Sequence, residues 1–114
     1  MLRRPIESAL PQGGRDKSQL QLRIYTIKHG EMAAWLDEWT RMIAPLRRRH
    51  GFEIIGAWTV DKEDQFVWIL RYAGPKTWEE ADSAYYASPD RAAMQPDPAR
   101  HIEKTEHWMM APVR

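Results

Sequence analysis

Apolar and polar residues follow two different periods along the first half of the chain. Over residues 20–28 they alternate, which predicts a β-strand with Leu22 and Ile24 on one face and Arg23 and Tyr25 on the other. The large apolar residues that follow recur every three or four positions, which predicts an amphipathic helix. The stripe of this helix consists of Met32, Trp35, Leu36, Trp39, Met42, Ile43 and Leu46.

This predicted helix has a recognisable end and one irregular position. Cations stand in its last turn, where the helix dipole favours them, and Gly51 can adopt the left-handed conformation of a helix cap. Pro45 lacks the N–H group that a regular helix needs, so we expect a kink there. We interpret the run Arg47-Arg48-Arg49 as a solvated helix end without a function.

The second half of the chain predicts a hairpin, a helix and a last strand. Residues 52–60 and 65–73 are rich in β-branched and aromatic side chains, and the polar turn "DKED" separates them, which favours an antiparallel hairpin. Thr77 followed by Glu80 is typical of a capping box, which starts a second helix. After a proline-rich loop, residues 101–110 alternate loosely and predict a fourth strand.

The order β-α-β-β-α-β predicts an α+β fold, the ferredoxin-like sandwich of a four-stranded antiparallel sheet with both helices on one face. The strands carry large apolar residues on both faces, as Val67 and Ile69 against Trp68 and Leu70 show. Two helices cover one face only, so we expect a second copy to cover the other, forming a homodimeric α+β barrel. We predict a mobile tail over residues 1–18 and the barrel domain over residues 19–114.

Composition excludes several classes of partner. The 17 Lys and Arg nearly balance the 16 Asp and Glu, so we expect no nucleic-acid partner. Apolar runs fall far short of the roughly 20 residues that span a bilayer, so we expect no membrane partner. There is no cysteine, which excludes disulfides and thiolate chemistry and is compatible with a cytoplasmic location. Six Trp, four Tyr and six Met exceed what one modest core requires, which indicates a pocket or an interface.

Four segments resemble the NIPSNAP family of the dimeric α+β barrel group. They are "LRIYTIKHGEMAAWLDEW", "RRRHGFEIIGAWT", "FVWILRY" and "YYASPDR", and the resemblance runs from Leu20 to the C-terminus. It implies the ferredoxin-like fold and the dimer. Most members have no assigned chemistry, so the resemblance implies architecture more than function.

The resemblance also directs attention to particular positions. Arg23 and Tyr25 fall on two positions that recur in the family. An aromatic residue often stands where this chain has Trp58, and the third strand has a similar W-x-x-R-Y context with Trp68 and Arg71. In relatives a tryptophan often follows the Y-x-S-P segment, whereas this chain has Arg91 or its neighbours there, so we expect the loop on that side to differ.

Arg23 and Tyr25 are the first candidates for chemistry. If Leu22 and Ile24 face the helices, then Arg23, Tyr25 and Ile27 face the interior of the barrel, although alternation alone does not decide between the faces. There Arg23 would orient a substrate, and Tyr25 would stabilise or protonate an oxyanion. The alternative is that Arg23 pairs across the dimer and Tyr25 is a core aromatic residue.

Among the histidines, His107 is the reserve base, because it alternates with Met109 on the predicted last strand. His101 and His107 would lie roughly 20 Å apart at about 3.3 Å per residue, too far for one ion, so we expect no metal site. A haem could use one histidine in an aromatic pocket, which is a weak indication. We predict no cofactor.

Together these residues lead to a hypothesis of function. We expect the dimer to bind a small aromatic or apolar oxygenated molecule. If it is an enzyme, we expect it to catalyse isomerisation, cyclisation or oxidation without a cofactor. The alternatives are a non-catalytic interaction domain, which a filled barrel would favour, and a haem-binding protein. The candidate catalytic residues are Arg23, Tyr25 and His107, and the candidate substrate-binding residues are Ile27, Trp58, Trp68, Arg71 and Met109.

The six tryptophans divide into two groups. Those on the helical stripes, Trp35, Trp39 and Trp78, are expected in the core. Those on strands, Trp58, Trp68 and Trp108, can face either the helices or the barrel, and one group or the other is expected to line a cavity.

Overall fold

Four β-strands form one antiparallel sheet in the computed structural model, which describes residues 18–113. The strand order β2-β3-β1-β4 confirms the predicted ferredoxin-like arrangement. The predicted tail, apart from Ser18, lies outside the described residues. The strands are β1 (Gln19–Ile27), β2 (Phe52–Val60), β3 (Gln65–Tyr72) and β4 (Ile102–Met110).

The helices follow the predicted order and pack on one face of the sheet. Residues that they bury, such as Trp35 and Trp78, contact aromatic rings of β3. No helix among residues 18–113 is long and apolar enough to cross a membrane. The helical elements are α1 (Met32–Glu38), a π-helical turn (Trp39–Ile43), α2 (Ala44–Arg49), a 3₁₀ turn (Asp61–Glu63), α3 (Trp78–Ala87), the short α4 (Pro89–Ala92) and a second 3₁₀ turn (Pro98–His101).

The irregularity expected at Pro45 takes the form of the π-helical turn just before it. There the N–H of Ala44 donates to the carbonyl of Trp39, five residues back, and Pro45 stands in the first turn of α2, where a missing donor costs little. A wider turn rotates every later side chain about the helix axis relative to a regular α-helix. Arg47 therefore lies on the buried side of α2 and is fully buried. Gly51 follows with a φ of +90°, the predicted left-handed cap.

The core between sheet and helices is aromatic. Trp39 meets Phe66 edge to face with ring centroids 5.1 Å apart, and it meets Trp68 at 5.4 Å. At the far end, Trp78 contacts Phe52 at 5.2 Å. The core positions predicted for Trp35, Trp39 and Trp78 are confirmed, and Trp68 is the one strand tryptophan that joins them.

The orientation of β1 is opposite to the one expected. Arg23, Tyr25 and Ile27 are buried beneath the helices, whereas Leu22 and Ile24 lie on the other face of the sheet. Tyr25 meets Trp35 of α1 with ring centroids 5.7 Å apart. The prediction that Arg23, Tyr25 and Ile27 face away from the helices is therefore wrong, because the helices carry the partners that make burial of Arg23 acceptable.

The other face of the sheet is uncovered and apolar. Trp58 and Trp108 are 52% and 53% exposed, and the strand pairing places both side chains on the sheet face that points away from the helices. We name this surface the open sheet face. It consists of Trp58, Val60, Trp108 and the partly buried Leu22, Ile24, Val67 and Ile69.

A capping box fixes the start of α3, the helix that later supplies much of the site. The N–H of Glu80 donates to Oγ1 of Thr77 at 3.1 Å, and the N–H of Thr77 donates to Oε1 of Glu80 at 2.9 Å. Both orphan donors are thereby satisfied, as the sequence predicted.

We expect Thr77→Ala to lower the free energy of unfolding by about 1 kcal/mol, because it removes the side-chain acceptor of the cap. Thr77→Ser keeps the hydroxyl and is the matched control, with an expected loss of a few tenths of a kcal/mol at most. Urea unfolding followed by circular dichroism measures both values. Equal losses in the two variants would contradict a role of the capping hydroxyl.

Candidate functional site

A cavity of about 130 Å³ lies between β1, α2, α3 and the segment that leads into β4. Its apolar lining includes the indole rings of Trp35 and Trp68 and the side chain of Ile43. Polar groups converge on the same space, which is the usual composition of a small-molecule site. The polar lining comprises Arg23, Tyr25, Arg47, Tyr85, Tyr86, Arg91 and Thr105.

Arg23 is the centre of the hydrogen-bond network. Its Nη1 donates to the hydroxyl of Tyr25 at 3.1 Å and to the hydroxyl of Tyr86 at 3.2 Å, and its Nε donates to Oε1 of Gln21 at 2.7 Å. An arginine has no acceptor, so both hydroxyls must accept from it. Each tyrosine therefore keeps its own proton for donation to another group.

Arg47 is the largest departure from the sequence interpretation, which made it part of a solvated helix end. Its Nη1 donates to Oδ1 of Asp82 at 2.8 Å, and its Cζ lies 3.9 Å from the ring centroid of Tyr85. The guanidinium also lies over Phe52 and Tyr86, at 4.8 and 5.2 Å from their ring centroids. Its Nε and Nη2 are buried and have no hydrogen-bond partner. The interpretation of Arg47 as solvated is wrong, because the π-helical turn directs it inward.

One carboxylate serves two guanidinium groups in this site. Oδ1 of Asp82 lies 2.8 Å from Nη1 of Arg47 and 3.6 Å from Nη2 of Arg23. Arg91, the third lining arginine, is paired with Asp97 at 2.9 Å. The group of Arg23, Arg47 and Asp82 therefore carries one net positive charge, and an uncompensated buried charge is costly.

Tyr25 and Tyr85 are neutral donors at neutral pH. Burial raises the pKa of Tyr25, and the positive charge of Arg23 opposes that rise only in part. Burial also raises the pKa of Tyr85. Burial acts to lower the pKa of Arg23, but the neighbouring tyrosines and Asp82 outweigh it, so the net pKa is raised and the guanidinium stays charged.

Three of the predicted site residues, Arg23, Tyr25 and Trp68, meet at the cavity. His107 lies on the same sheet face at the edge strand β4 but outside the cavity lining, and its Nδ1 is 3.3 Å from Nε2 of Gln21. Because Oε1 of Gln21 accepts from Arg23, the Gln21 amide presents its N–H to His107, whose Nδ1 must accept. His107 therefore reaches the site only through Gln21.

The other predicted substrate-binding residues lie elsewhere. Trp58 and Arg71 are on the sheet face away from the helices, and Arg71 pairs with Glu53 at 3.1 Å. Ile27 is buried at the end of β1 and does not line the cavity. Met109 lies beside His107 at the exposed edge, where its Sδ accepts from Nε2 of Gln21 at 3.6 Å. The structure does not bring these four residues to the cavity.

Sequence reasoning missed Asp82, Tyr85 and Tyr86 as site residues. They lie three and four positions apart on α3, a spacing that places them on neighbouring sides of a helix. A polar residue at that spacing from two tyrosines was the available signal. The burial of Arg47 had one indirect signal, the irregularity expected at Pro45, which marks a break in the helix but not the rotation of the residues that follow it.

His101 is occupied in holding the segment before β4 against α1. Its Nδ1 lies 2.8 Å from Oε1 of Glu31 and its Nε2 lies 3.1 Å from Oε2 of Glu38. Arg100 also pairs with Glu38, at 2.8 Å. No group of three or more His, Cys, Asp or Glu that could hold a metal ion occurs within residues 18–113.

Comparison with known proteins places these features in context. The family model that matches is NIPSNAP, over residues 20–114. Comparison with curated proteins gives no match.

Several solved structures of bacterial proteins have a similar fold, and three of them are described next. A NIPSNAP family protein of unknown function from Agrobacterium tumefaciens str. C58 is 20% identical, with a TM-score of 0.76 over 88% of this chain and 92% of that one. A NIPSNAP domain protein from Burkholderia xenovorans is 18% identical, with a TM-score of 0.73 over 83% and 94%. A candidate antibiotic biosynthesis monooxygenase from Nitrosomonas europaea is 14% identical, with a TM-score of 0.61 over 87% and 93%. These likenesses show the fold alone.

The raised pKa of Tyr25 predicts a late step in an alkaline titration. We expect Tyr25 and Tyr85 to ionise above pH 10, the usual value for tyrosine. Because the folded chain holds the Tyr25 proton more tightly than the unfolded chain, its contribution to stability is complete below about pH 10 and declines as the pH rises further. The step is measured as the difference in tyrosinate absorbance between the wild type and Tyr25→Phe as the pH is raised. A difference signal centred near pH 10 would contradict the assignment.

Proposed function

The chain belongs to the NIPSNAP family, and we propose that it binds a small aromatic or apolar anion in the cavity between its sheet and its helices. The observation that carries this proposal is the sharing of one carboxylate, Asp82, by two buried arginines, Arg23 and Arg47. A ligand with one negative charge balances the group.

The size and lining of the cavity indicate the rest of the ligand. A dry cavity of ~150 Å³ holds one benzene ring, and this cavity has about 130 Å³. The indoles of Trp35 and Trp68 offer edges and faces to a ring. A porphyrin needs far more room than this, since pockets for drug-sized ligands begin at ~300 Å³. The residues therefore do not fit haem, and His107 is outside the lining.

Tyr25 and Arg23 would hold the charged or oxygenated end of the ligand. Arg23 supplies the charge, and the Tyr25 hydroxyl, which accepts from Arg23, directs its own proton to a ligand oxygen. The same pair would stabilise negative charge that develops on an oxygen during an isomerisation or cyclisation. Asp82 is held by two arginines rather than placed as a free base, so the geometry favours binding over turnover.

The candidate monooxygenase from Nitrosomonas europaea shares the fold at 14% identity. One fold carries many activities, so its activity is not transferred to this chain.

We expect benzoate to bind at least tenfold more tightly than benzamide, because only benzoate balances the positive charge of the cavity. Arg23→Met should weaken benzoate binding by at least tenfold, whereas Arg48→Met, at an exposed position, should leave it unchanged. Isothermal titration calorimetry measures the affinities, with circular dichroism to verify folding. Equal affinity for benzoate and benzamide in the wild type would sink the proposal.

We further infer that the open sheet face packs against the same face of a second copy. Trp58 and Trp108 leave large apolar rings half exposed, and the partly buried aliphatic residues lie between them. A largely apolar surface can pack against the same surface of a second copy, which suits a twofold dimer. The resemblance of the sequence to the dimeric α+β barrel group implies the same occupant.

Wild-type protein should therefore sediment as a dimer of about twice 13.4 kDa. Trp58→Glu places a charge in the proposed interface and should give a folded monomer, because an unpaired buried carboxylate costs several kcal/mol. Arg49→Glu, on exposed α2 surface, is the matched control and should remain a dimer. Analytical ultracentrifugation measures the mass of each protein in solution, and a monomeric wild type at high concentration would refute the inference.

A further inference from the structure

Tyr86 differs from the other residues that line the cavity. It is 49% exposed, yet its hydroxyl accepts a hydrogen bond from Nη1 of the buried Arg23 at 3.2 Å. Its ring centroid also lies 5.2 Å from Cζ of Arg47. A half-exposed ring thus covers both cations, and its hydroxyl occupies a position where an anionic oxygen would be stabilised.

Arg47 has one complete recognition edge without a partner. A guanidinium presents Nε–H and one N–H of Nη2 side by side, and in Arg41 on the surface both groups donate to one oxygen, Oδ2 of Asp37, at 2.9 and 2.7 Å. In Arg47 these two groups are buried without a hydrogen-bond partner, while Nη1 serves Asp82. Buried donors without partners are costly, so the closed arrangement is less favourable than one in which a ligand satisfies them.

We propose that Tyr86 is the gate of the cavity and that a ligand carboxylate replaces its hydroxyl on Arg23 and binds the free edge of Arg47. This inference rests on the proposed function and assigns the ligand class, an aromatic carboxylate. A carboxylate has two parallel acceptors that match the paired N–H groups of Arg47, whereas a phenolate or enolate offers one oxygen. The ring of the ligand lies in the inner cavity beside Trp35.

The position of Tyr86 also defines the path of entry. Tyr86 and Arg91 line both the inner cavity and an outer groove of about 270 Å³ beside α4. Arg91 is held by Asp97, whereas Tyr86 has its hydroxyl bonded to Arg23 alone among the residues described. Rotation of Tyr86 away from Arg23 joins groove and cavity and uncovers Arg47 on the same side.

Two variants test the gate with benzoate as the probe. Tyr86→Phe should bind benzoate about threefold to tenfold more tightly than wild type, because no hydrogen bond to Arg23 has to be broken first. Arg47→Lys keeps the charge but loses the paired edge, so it should bind benzoate about tenfold more weakly. Arg48→Lys, the exposed neighbour, is the matched control and should bind like wild type.

Isothermal titration calorimetry of the wild type, Tyr86→Phe, Arg47→Lys and Arg48→Lys distinguishes failure of the gate from failure of the proposed function. Weaker binding by Tyr86→Phe would overturn the gate, because it would mean that the hydroxyl contacts the ligand. Unchanged binding by a folded Arg47→Lys would overturn the carboxylate edge while leaving anion binding at Arg23 intact. A wild type that does not bind benzoate at all would contradict the proposed function itself.

Discussion

The structure depends on one partly buried carboxylate, that of Asp82, which holds two buried cations from different elements. Arg23 belongs to β1, Arg47 to α2 and Asp82 to α3, so their ion pairs join the sheet to two helices at one point. Removing Asp82 would leave both arginines buried without compensation, which is far more costly than losing an exposed pair. The aromatic rings around it exclude water and strengthen each interaction.

Local features of the chain serve this arrangement. The π-helical turn rotates α2 so that Arg47 lies inward, and the capping box fixes the start of the helix that carries Asp82. The indoles of Trp35 and Trp68 flank Tyr25, with ring centroids 5.7 and 6.1 Å from its own, and restrict where its hydroxyl can lie. Rigid neighbours of this kind preorganise the hydroxyl for a ligand before the ligand binds.

The sequence predicts the elements well because each has a local cause. The hairpin, the capping box of α3 and the glycine cap after α2 all follow from short-range chemistry, and the order of elements determines the ferredoxin-like sheet. Which face of β1 contacts the helices could not be predicted, because an alternating strand has the same pattern in either orientation. The burial of Arg47 depends on a helical irregularity and on Asp82, 35 residues later, and so needed the structure.

A crystal structure of the protein with saturating benzoate tests the central claim most directly. The account predicts the ring in the cavity beside Trp35, one carboxylate oxygen near Nη1 of Arg23, two contacts to Nε and Nη2 of Arg47, and Tyr86 turned toward solvent. Benzoate bound only on the open sheet face, or an empty cavity with Tyr86 still bonded to Arg23, would contradict it.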